Sequence, residues 1–237
     1  MKALLLAAGL GTRLRPITNT VPKCLVPING KVLLEYWLEN LLKADIDDIL
    51  INTSYLSEDV DQFINKSIYK DNVTLIHEEV LLNTGGTLLS NKEFFENEPF
   101  LLIHADNLSV CNFKNFIDSY LNKPVYCEIT MMLFNSDNPS SCGIVELDNN
   151  GVVQEFHEKV KNPPSSLANA AVYICSPTIF NFLESLNKKE IDFSMEVLPN
   201  YIGKINTYLN DVYHRDIGTV ESYALSQIEI LDILDDI

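Results

Sequence analysis

The feature that most constrains this chain is its opening. The short apolar run from Lys2 to Ala7 leads into Gly9 and Gly11. A continuous apolar run this short, closed by glycines, reads as a strand buried on both faces. Such strands belong to parallel sheets covered by helices. The same signal recurs at residues 49–52, 73–76 and 100–104. Between these runs, residues 32–42 carry apolar side chains at helical spacing. Ser57 stands where it can cap a helix with Glu58 and Asp59 in its first turn, where acids suit the helix dipole. Residues 87–95 read as helical, and Asn112 as the cap of a helix through Leu121. Alternation on this scale predicts an α/β chain with a doubly wound, mostly parallel, Rossmann-like sheet. In such sheets ligands sit beyond the carboxyl ends of the strands. The Gly9 loop and Asp106 both fall at such ends.

The second half has a different pattern. Residues 127–134, 143–147, 152–156 and 169–175 are strand-like, and Asp148-Asn149-Asn150-Gly151 reads as a hairpin turn. Ser194 is expected to cap a helix through Tyr201, and Thr219 a C-terminal helix reaching Ile233. Asn162-Pro163-Pro164-Ser165-Ser166 reads as a surface loop, and no repeat or flexible linker interrupts the chain. The expectation is one domain over residues 1–237, with halves 1–125 and 126–237 and a small additional β-rich portion in the latter.

Composition narrows the partners. A formal net charge of −16 disfavours nucleic acid and anionic membrane, both of which need basic surface. It leaves room for a nucleotide, which a few local cations can hold. Five cysteines without C-x-x-C spacing read as free thiols in a reducing compartment. The N-terminal apolar run is too short for a signal peptide, and no stretch approaches transmembrane length. A soluble, cytoplasmic protein is expected.

The loop after the first strand is Ala7-Ala8-Gly9-Leu10-Gly11-Thr12-Arg13-Leu14. Its glycines let the backbone approach a phosphate and aim N–H groups at it. The dinucleotide fingerprint fails because Leu14 stands at its last glycine, and the Walker Gly-Lys-Ser/Thr is absent. Thr12, Arg13 and Lys23 instead place a hydroxyl and two cations near the loop, as a triphosphate requires.

Two stretches then carry a resemblance: Leu6-Ala7-Ala8-Gly9-Leu10-Gly11-Thr12-Arg13-Leu14-Arg15-Pro16 and Pro22-Lys23-Cys24-Leu25-Val26-Pro27. Together they resemble the signature of the sugar-phosphate nucleotidyltransferases, which include mannose-1-phosphate guanylyltransferases and glucose-1-phosphate thymidylyltransferases. The similarity spans essentially the whole chain. It implies that residues 1–125 bind the nucleotide and residues 126–237 the sugar phosphate. By the same resemblance Leu6, Ala8, Gly9, Gly11 and Thr12 line the triphosphate. Arg13 and Lys23 bind its phosphates and favour departure of pyrophosphate. Ala105-Asp106-Asn107 is similar to the family's Gly-Asp-Asn segment and Asp216-Ile217-Gly218-Thr219 to its Asp-x-Gly-Thr segment, which implies Mg²⁺ on Asp106 and Asp216. Mg²⁺ commonly takes one or two carboxylates plus substrate phosphates. Asp106 would also contact the nucleotide, and Asn107 and Asp216 the sugar phosphate.

On the sugar side, Gly143-Ile144-Val145 resembles the strand lining the sugar, and Glu158-Lys159 the pair holding sugar hydroxyls and the attacking phosphate. Asn169-Ala170-Ala171 resembles an Asn-Ala-Gly segment whose Asn faces the sugar. The chemistry needs no general base, because a sugar phosphate is largely ionised at neutral pH. The four histidines show no catalytic pairing and read as structural.

For the base, the resemblance points to His77-Glu78-Glu79-Val80-Leu81-Leu82-Asn83-Thr84-Gly85-Gly86-Thr87. Glu78 or Glu79 could accept from the N–H groups of guanine, whereas thymine offers a single donor. GTP is favoured, with a mannose- or heptose-like sugar. Asn83 stands at a usual Gly and Leu81 at a usual Pro, and Asn83, Gly85 and Gly86 are expected beside the nucleotide. Cytidylyl, uridylyl and thymidylyl transfer remain open, as do glucose 1-phosphate and a non-sugar substrate such as phosphocholine. A non-catalytic nucleotide-sugar sensor is the reading from another class. The chain ends too soon after Thr219 for the β-helix or acetyltransferase extension of longer relatives, and a homodimer is compatible with the resemblance.

Overall fold

Buried runs and amphipathic segments alternate along the chain in the computed structural model, which describes residues 1–235, with side chains as far as Ile233. β1 (Lys2–Leu6) is followed by β2 (Pro27–Ile28), β3 (Lys31–Val32), α1 (Leu33–Lys43), β4 (Ile49–Thr53), α2 (Ser57–Lys66) and β5 (Val73–His77). Then come α3 (Asn83–Ser90), β6 (Phe100–His104), β7 (Asn107–Val110) and α4 (Phe113–Leu121). The remaining elements are β8 (Ile129–Asn135), β9 (Gly143–Leu147), β10 (Val153–Glu158), β11 (Leu167–Cys175), α5 (Ile179–Ser185), β12 (Ile205–Leu209), β13 (Tyr213–Asp216) and α6 (Val220–Asp235).

These elements form two compact units that interleave along the sequence. The first comprises residues 2–81, 103–111 and 212 onward; the second comprises Met1 and residues 82–102 and 112–211. In the first unit β1 pairs with β4, and β4 with β5, all parallel. All five residues of β4 are buried, as a strand covered on both faces must be. A separate two-stranded ladder joins β7 to β13. β2 and β3 form a hairpin turning through Asn29 and Gly30, both at positive φ, as a two-residue hairpin turn requires. Leu14, Val26, Ile28, Leu33, Tyr36, Leu108, Ile217 and Ile230 pack into one buried cluster. At about 1.5–3 kcal/mol per buried large aliphatic, this cluster is what fastens the C-terminal segment to the glycine loop's neighbours. Polar contacts finish the join: Tyr223 and Gln227 on α6 both donate to the Pro27 carbonyl, at 2.6 and 2.8 Å.

The second unit is β-rich and mostly antiparallel. β8 pairs with β11, β11 with β9, and β9 with β10, while β12 adds to β8 in parallel. The β9–β10 turn is closed by Asp148, whose Oδ1 accepts from the N–H groups of Asn150 and Val152. The fold is therefore α/β with parallel core strands and antiparallel additions.

Several local expectations change. Ser57 is not a cap: Leu56, at φ 53°, precedes the helix, and Ser57 is its first helical residue. The helix expected over 87–95 begins at Asn83 and ends at Ser90, because Gly85 and Gly86 lie inside it despite their poor helix propensity. Asn91 ends it by donating its amide to the Thr87 carbonyl at 2.8 Å. Ser194 also yields its role to a neighbour. Asp192 accepts from the Met195 N–H, and the segment is a π turn over Phe193–Val197 followed by a 3₁₀ turn. Asn112 and Thr219 do cap their helices, accepting from Asn115 and Ser222 at 3.1 Å each. β2, β3, β7, β12 and α5 were too short or too mixed in pattern to read.

Ala171 carries a backbone cost. It sits at φ 55° in β11, where the register with β8 shifts between Asn169 and Tyr173. The left-handed region costs a residue with a Cβ about 1–2 kcal/mol, and glycine escapes it. Ala171→Gly should therefore raise the unfolding free energy by about 0.5–1 kcal/mol in urea titration. A loss of stability would mean that the alanine methyl contributes more than the backbone account allows.

Candidate active site

The phosphate-loop candidate begins where β1 ends. Gly11 takes the left-handed conformation at φ 61°, and a Cβ there would come 2.8 Å from Thr18 Cγ2 and 3.3 Å from Lys23 Cβ. The Thr18 hydroxyl donates to the Gly11 carbonyl at 2.7 Å and holds the bend. Gly9 differs: nothing lies within 4 Å of the place where its Cβ would be. The first glycine is thus open to an incoming group and the second is required by the turn. Thr12 and Arg13 form a 3₁₀ turn with Leu14, which buries its side chain in the cluster above.

Lys23 is the centre of the charged cluster. Its side chain is only 6% exposed, and Nζ lies 2.7 Å from Asp106 Oδ2 and 3.7 Å from Asp216 Oδ1. Arg13 Nη2 approaches Asp216 Oδ2 at 3.9 Å from the solvent side. Asp106 follows β6 and Asp216 ends β13. The β7–β13 ladder sets Asp216 directly opposite Asn107, the residue after Asp106, so both carboxylates lie beside Lys23. α1 secures that rung: Trp37 Nε1 donates to the Asn107 carbonyl and Asn40 to the Ser109 carbonyl, at 2.8 and 3.1 Å. Gly218 is a close-approach position, since a Cβ there would lie 2.6 Å from Asp216 Oδ2 and 3.0 Å from Arg13 Nη2.

Burial would raise the Asp106 carboxyl, but the Lys23 ammonium, His104 and the Lys23 hydrogen bond outweigh it and hold it at about 2. Asp106 is therefore ionised at neutral pH. Two carboxylates without nitrogen or sulfur donors suit a hard divalent cation such as Mg²⁺. His214, on β13, moves the other way. Burial lowers its ring from the ordinary value near 6.5 to about 3, against the pull of Asp106.

Glu78 is 8% exposed, and Asn52, 3% exposed, donates to its Oε1 at 3.2 Å. The same Asn52 accepts from the Ala7 N–H at 2.8 Å. Glu79 is exposed. Asn52 was missed in the sequence. The signal was present, a polar residue at the end of a wholly apolar strand beside the one feeding the loop.

The other sequence candidates lie in the second unit. Gly143 and Glu158 are register partners, and a Cβ on Gly143 would fall 2.6 Å from Glu158 Oε2 and from Phe156 Cζ. Lys159, at φ 50°, directs its N–H to the Cys142 carbonyl at 3.0 Å, and its Nζ lies 3.2 Å from Glu158 Oε1. Asn169 donates to the Tyr173 hydroxyl at 2.7 Å, and its Oδ1 accepts from the Ala171 N–H. Tyr173 was also missed. Burial raises its phenol well above the ordinary range, with Glu158 adding to the rise. Asn83 begins α3 at φ 61°, a conformation asparagine tolerates better than most residues. Gly85 and Gly86 serve packing: their N–H groups both donate to the Ile191 carbonyl, and a Cβ on Gly86 would fall 2.1 Å from the Lys189 carbonyl.

The buried ring of His214 predicts an acid-sensitive fold. The unfolded chain takes up a proton near pH 6.5 while the folded chain does not until about 3, so this stability is complete above 6.5 and lost on acidification toward 3. Within that window the slope should reach up to about 1.4 kcal/mol per pH unit. Urea unfolding at pH values of about 7.5, 6 and 5 should show that slope flattened in His214→Gln. Identical slopes in the two proteins would remove His214 as its source.

Comparison with known proteins gives the family of the chain. The chain is 31% identical over 228 residues to the mannose-1-phosphate guanylyltransferase catalytic subunit beta of Drosophila melanogaster, covering 94% of this chain and 60% of that one. It is 29% identical over 240 residues to the UTP–glucose-1-phosphate uridylyltransferase of Synechocystis, covering 94% and 61%. It thus spans about three-fifths of the length of these relatives. Among solved structures, HddC from Yersinia pseudotuberculosis complexed with GMP-PN superposes with a TM-score of 0.81 at 26% identity, covering 97% of this chain and 99% of that one. A family model described as nucleotidyl transferase matches residues 2–232, and the chain belongs to that family.

Proposed function

We propose that the protein transfers a nucleotidyl group from a nucleoside triphosphate to a sugar 1-phosphate, releasing pyrophosphate and forming a nucleotide-sugar. The observation that carries this reading is the buried Lys23 ammonium between Asp106 and Asp216 beside the glycine loop. The sugar-phosphate oxygen forms a bond to the α-phosphorus as the bond from that phosphorus to the bridging β-phosphate oxygen breaks. The electron pair leaves with pyrophosphate. The nucleophile is already ionised at neutral pH, so the protein's task is positioning and charge neutralisation.

Lys23 and Arg13 would neutralise the triphosphate, while the Gly9 and Gly11 backbone and Thr12 hold it close. Asp106 and Asp216 would hold Mg²⁺, which when bound spreads the charge of the leaving pyrophosphate. Lys159 would hold the sugar phosphate. Glu158, Asn169 and the bare Gly143 would face its sugar.

GTP is the favoured nucleotide. Glu78 is a buried carboxylate next to the loop, suited to the adjacent N–H donors of guanine. HddC, crystallised with GMP-PN, and the Drosophila guanylyltransferase point the same way. The sugar is taken as mannose- or heptose-like. The uridylyltransferase among the relatives makes UTP the competitor to exclude.

The decisive assay couples Mg²⁺, inorganic pyrophosphatase, each of five nucleoside triphosphates and a panel of sugar 1-phosphates with phosphocholine to phosphate release. Release with GTP and a manno-configured phosphate is expected. Asp106→Asn should lower turnover by about 10²-fold or more. Gly218→Ala, which drives a methyl into the Asp216 carboxylate, should lower it while leaving the unfolding midpoint nearly unchanged. Turnover with UTP alone would overturn the base assignment; nucleotide binding without turnover on any substrate would overturn the enzyme.

A further inference from the structure

The peptide bond between Leu6 and Ala7 is held at both ends. Its carbonyl accepts from the Ala105 N–H at 3.1 Å, and its N–H donates to Asn52 Oδ1 at 2.8 Å. Ala105 precedes Asp106, the carboxylate paired with Lys23. On the opposite side, the Asn52 Nδ2 donates to Glu78 Oε1 at 3.2 Å. The Ala7 N–H settles which end of the Asn52 amide is oxygen, so the end facing Glu78 is the donor. Glu78 is held in place by a second bond, from its own N–H to the Thr53 carbonyl at 2.8 Å.

These bonds run in one line from Glu78 through Asn52 and the first peptide of the loop to the Asp106 segment. From this we infer that Asn52 is a specificity-determining positioning residue, which fixes the Glu78 carboxylate against the start of the phosphate loop so that the base is read in register with the phosphates. The inference rests on the nucleotidyl-transfer reading above. Asparagine is suited to the position because it alone among side chains of its size offers an acceptor and a donor from one rigid plane. Aspartate would keep the acceptor for Ala7 but set two carboxylates against each other. Alanine would leave a buried N–H and a buried carboxylate without this partner, and such losses weaken a site by far more than one average hydrogen bond.

The chemistry also names its own rescue. Combining Asn52→Asp with Glu78→Gln reverses the bond: the new carboxylate on β4 accepts from both the Ala7 N–H and the new side-chain amide after β5. The loop is restored, but the base now meets a neutral amide in place of a carboxylate.

The test is calorimetric binding of GTP, UTP and inorganic tripolyphosphate, each with Mg²⁺, to four proteins: wild type, Asn52→Asp, Asn52→Ala and the double variant. Thermal unfolding serves as the check on folding. Wild type should prefer GTP to UTP. Asn52→Asp should lose about tenfold or more in GTP affinity and most of that preference, a change of about 1.4 kcal/mol. The double variant should recover tripolyphosphate affinity to within about twofold of wild type while remaining indifferent to the base, which a merely structural asparagine would not produce. Should Asn52→Asp fail to fold, Asn52→Ala is read in its place by the same GTP-to-UTP preference. Base preference intact in Asn52→Asp, or tripolyphosphate affinity not recovered in the double variant, overturns the role of Asn52 and leaves the enzyme reading standing. A wild type that binds no nucleotide overturns both.

Discussion

Burying an ammonium beside a sheet is costly unless opposite charge meets it at close range. The Lys23 side chain is only 6% exposed, and its two carboxylate partners come from segments far apart in the chain. Everything nearby serves that meeting. β6 delivers Asp106, the β7–β13 ladder places Asp216 beside it, α1 pins the ladder through Trp37 and Asn40, and α6 packs the whole against the hairpin after the loop. The Gly11 bend belongs to the same set, since a side chain there would press on Lys23 itself. The apolar cluster joins the chain's two ends, and the ion cluster depends on that join.

Much of this was legible in the sequence because it depends on local rules. Buried parallel strands are written as apolar runs, and glycines mark the loop. Asp106 and Asp216 were found through motif resemblance, and their meeting through the ladder could not be read from spacing. What escaped had non-local causes. Asn52 carries no motif, and its importance comes from bonds to segments that are distant in sequence. The helix expected from residue 87 starts at Asn83, where Gly85 and Gly86 let it lie against the Lys189–Ile191 backbone. Ser57 and Ser194 have the residue type of a cap, and the neighbouring backbone geometry decides otherwise.

Two departures from the family pattern have a common backbone explanation. Asn83 and Ala171 each stand where the motif resemblance sets glycine, and both hold positive φ, at 61° and 55°. The fold demands left-handed backbone at both places, and the chain meets the demand without glycine. Asparagine does so at modest cost. Alanine does so only because the surrounding ladder and the Asn169 bond to its N–H over-determine the conformation. Backbone geometry alone therefore accounts for Asn83.

Charge balance connects the cluster to its proposed substrate. Lys23 and Arg13 carry two positive charges, and Asp106 and Asp216 carry two negative ones, so these side chains sum to zero. Around them lies a chain of net charge −16. A bare triphosphate approaching this surface would gain little from long-range attraction and would meet repulsion from the surrounding field. Were Asp106 and Asp216 to hold a divalent cation, its charge would offset theirs and leave Lys23 and Arg13 available to an anionic group. On the proposed function, a strongly acidic chain would then admit an anionic substrate at this cluster only together with its metal.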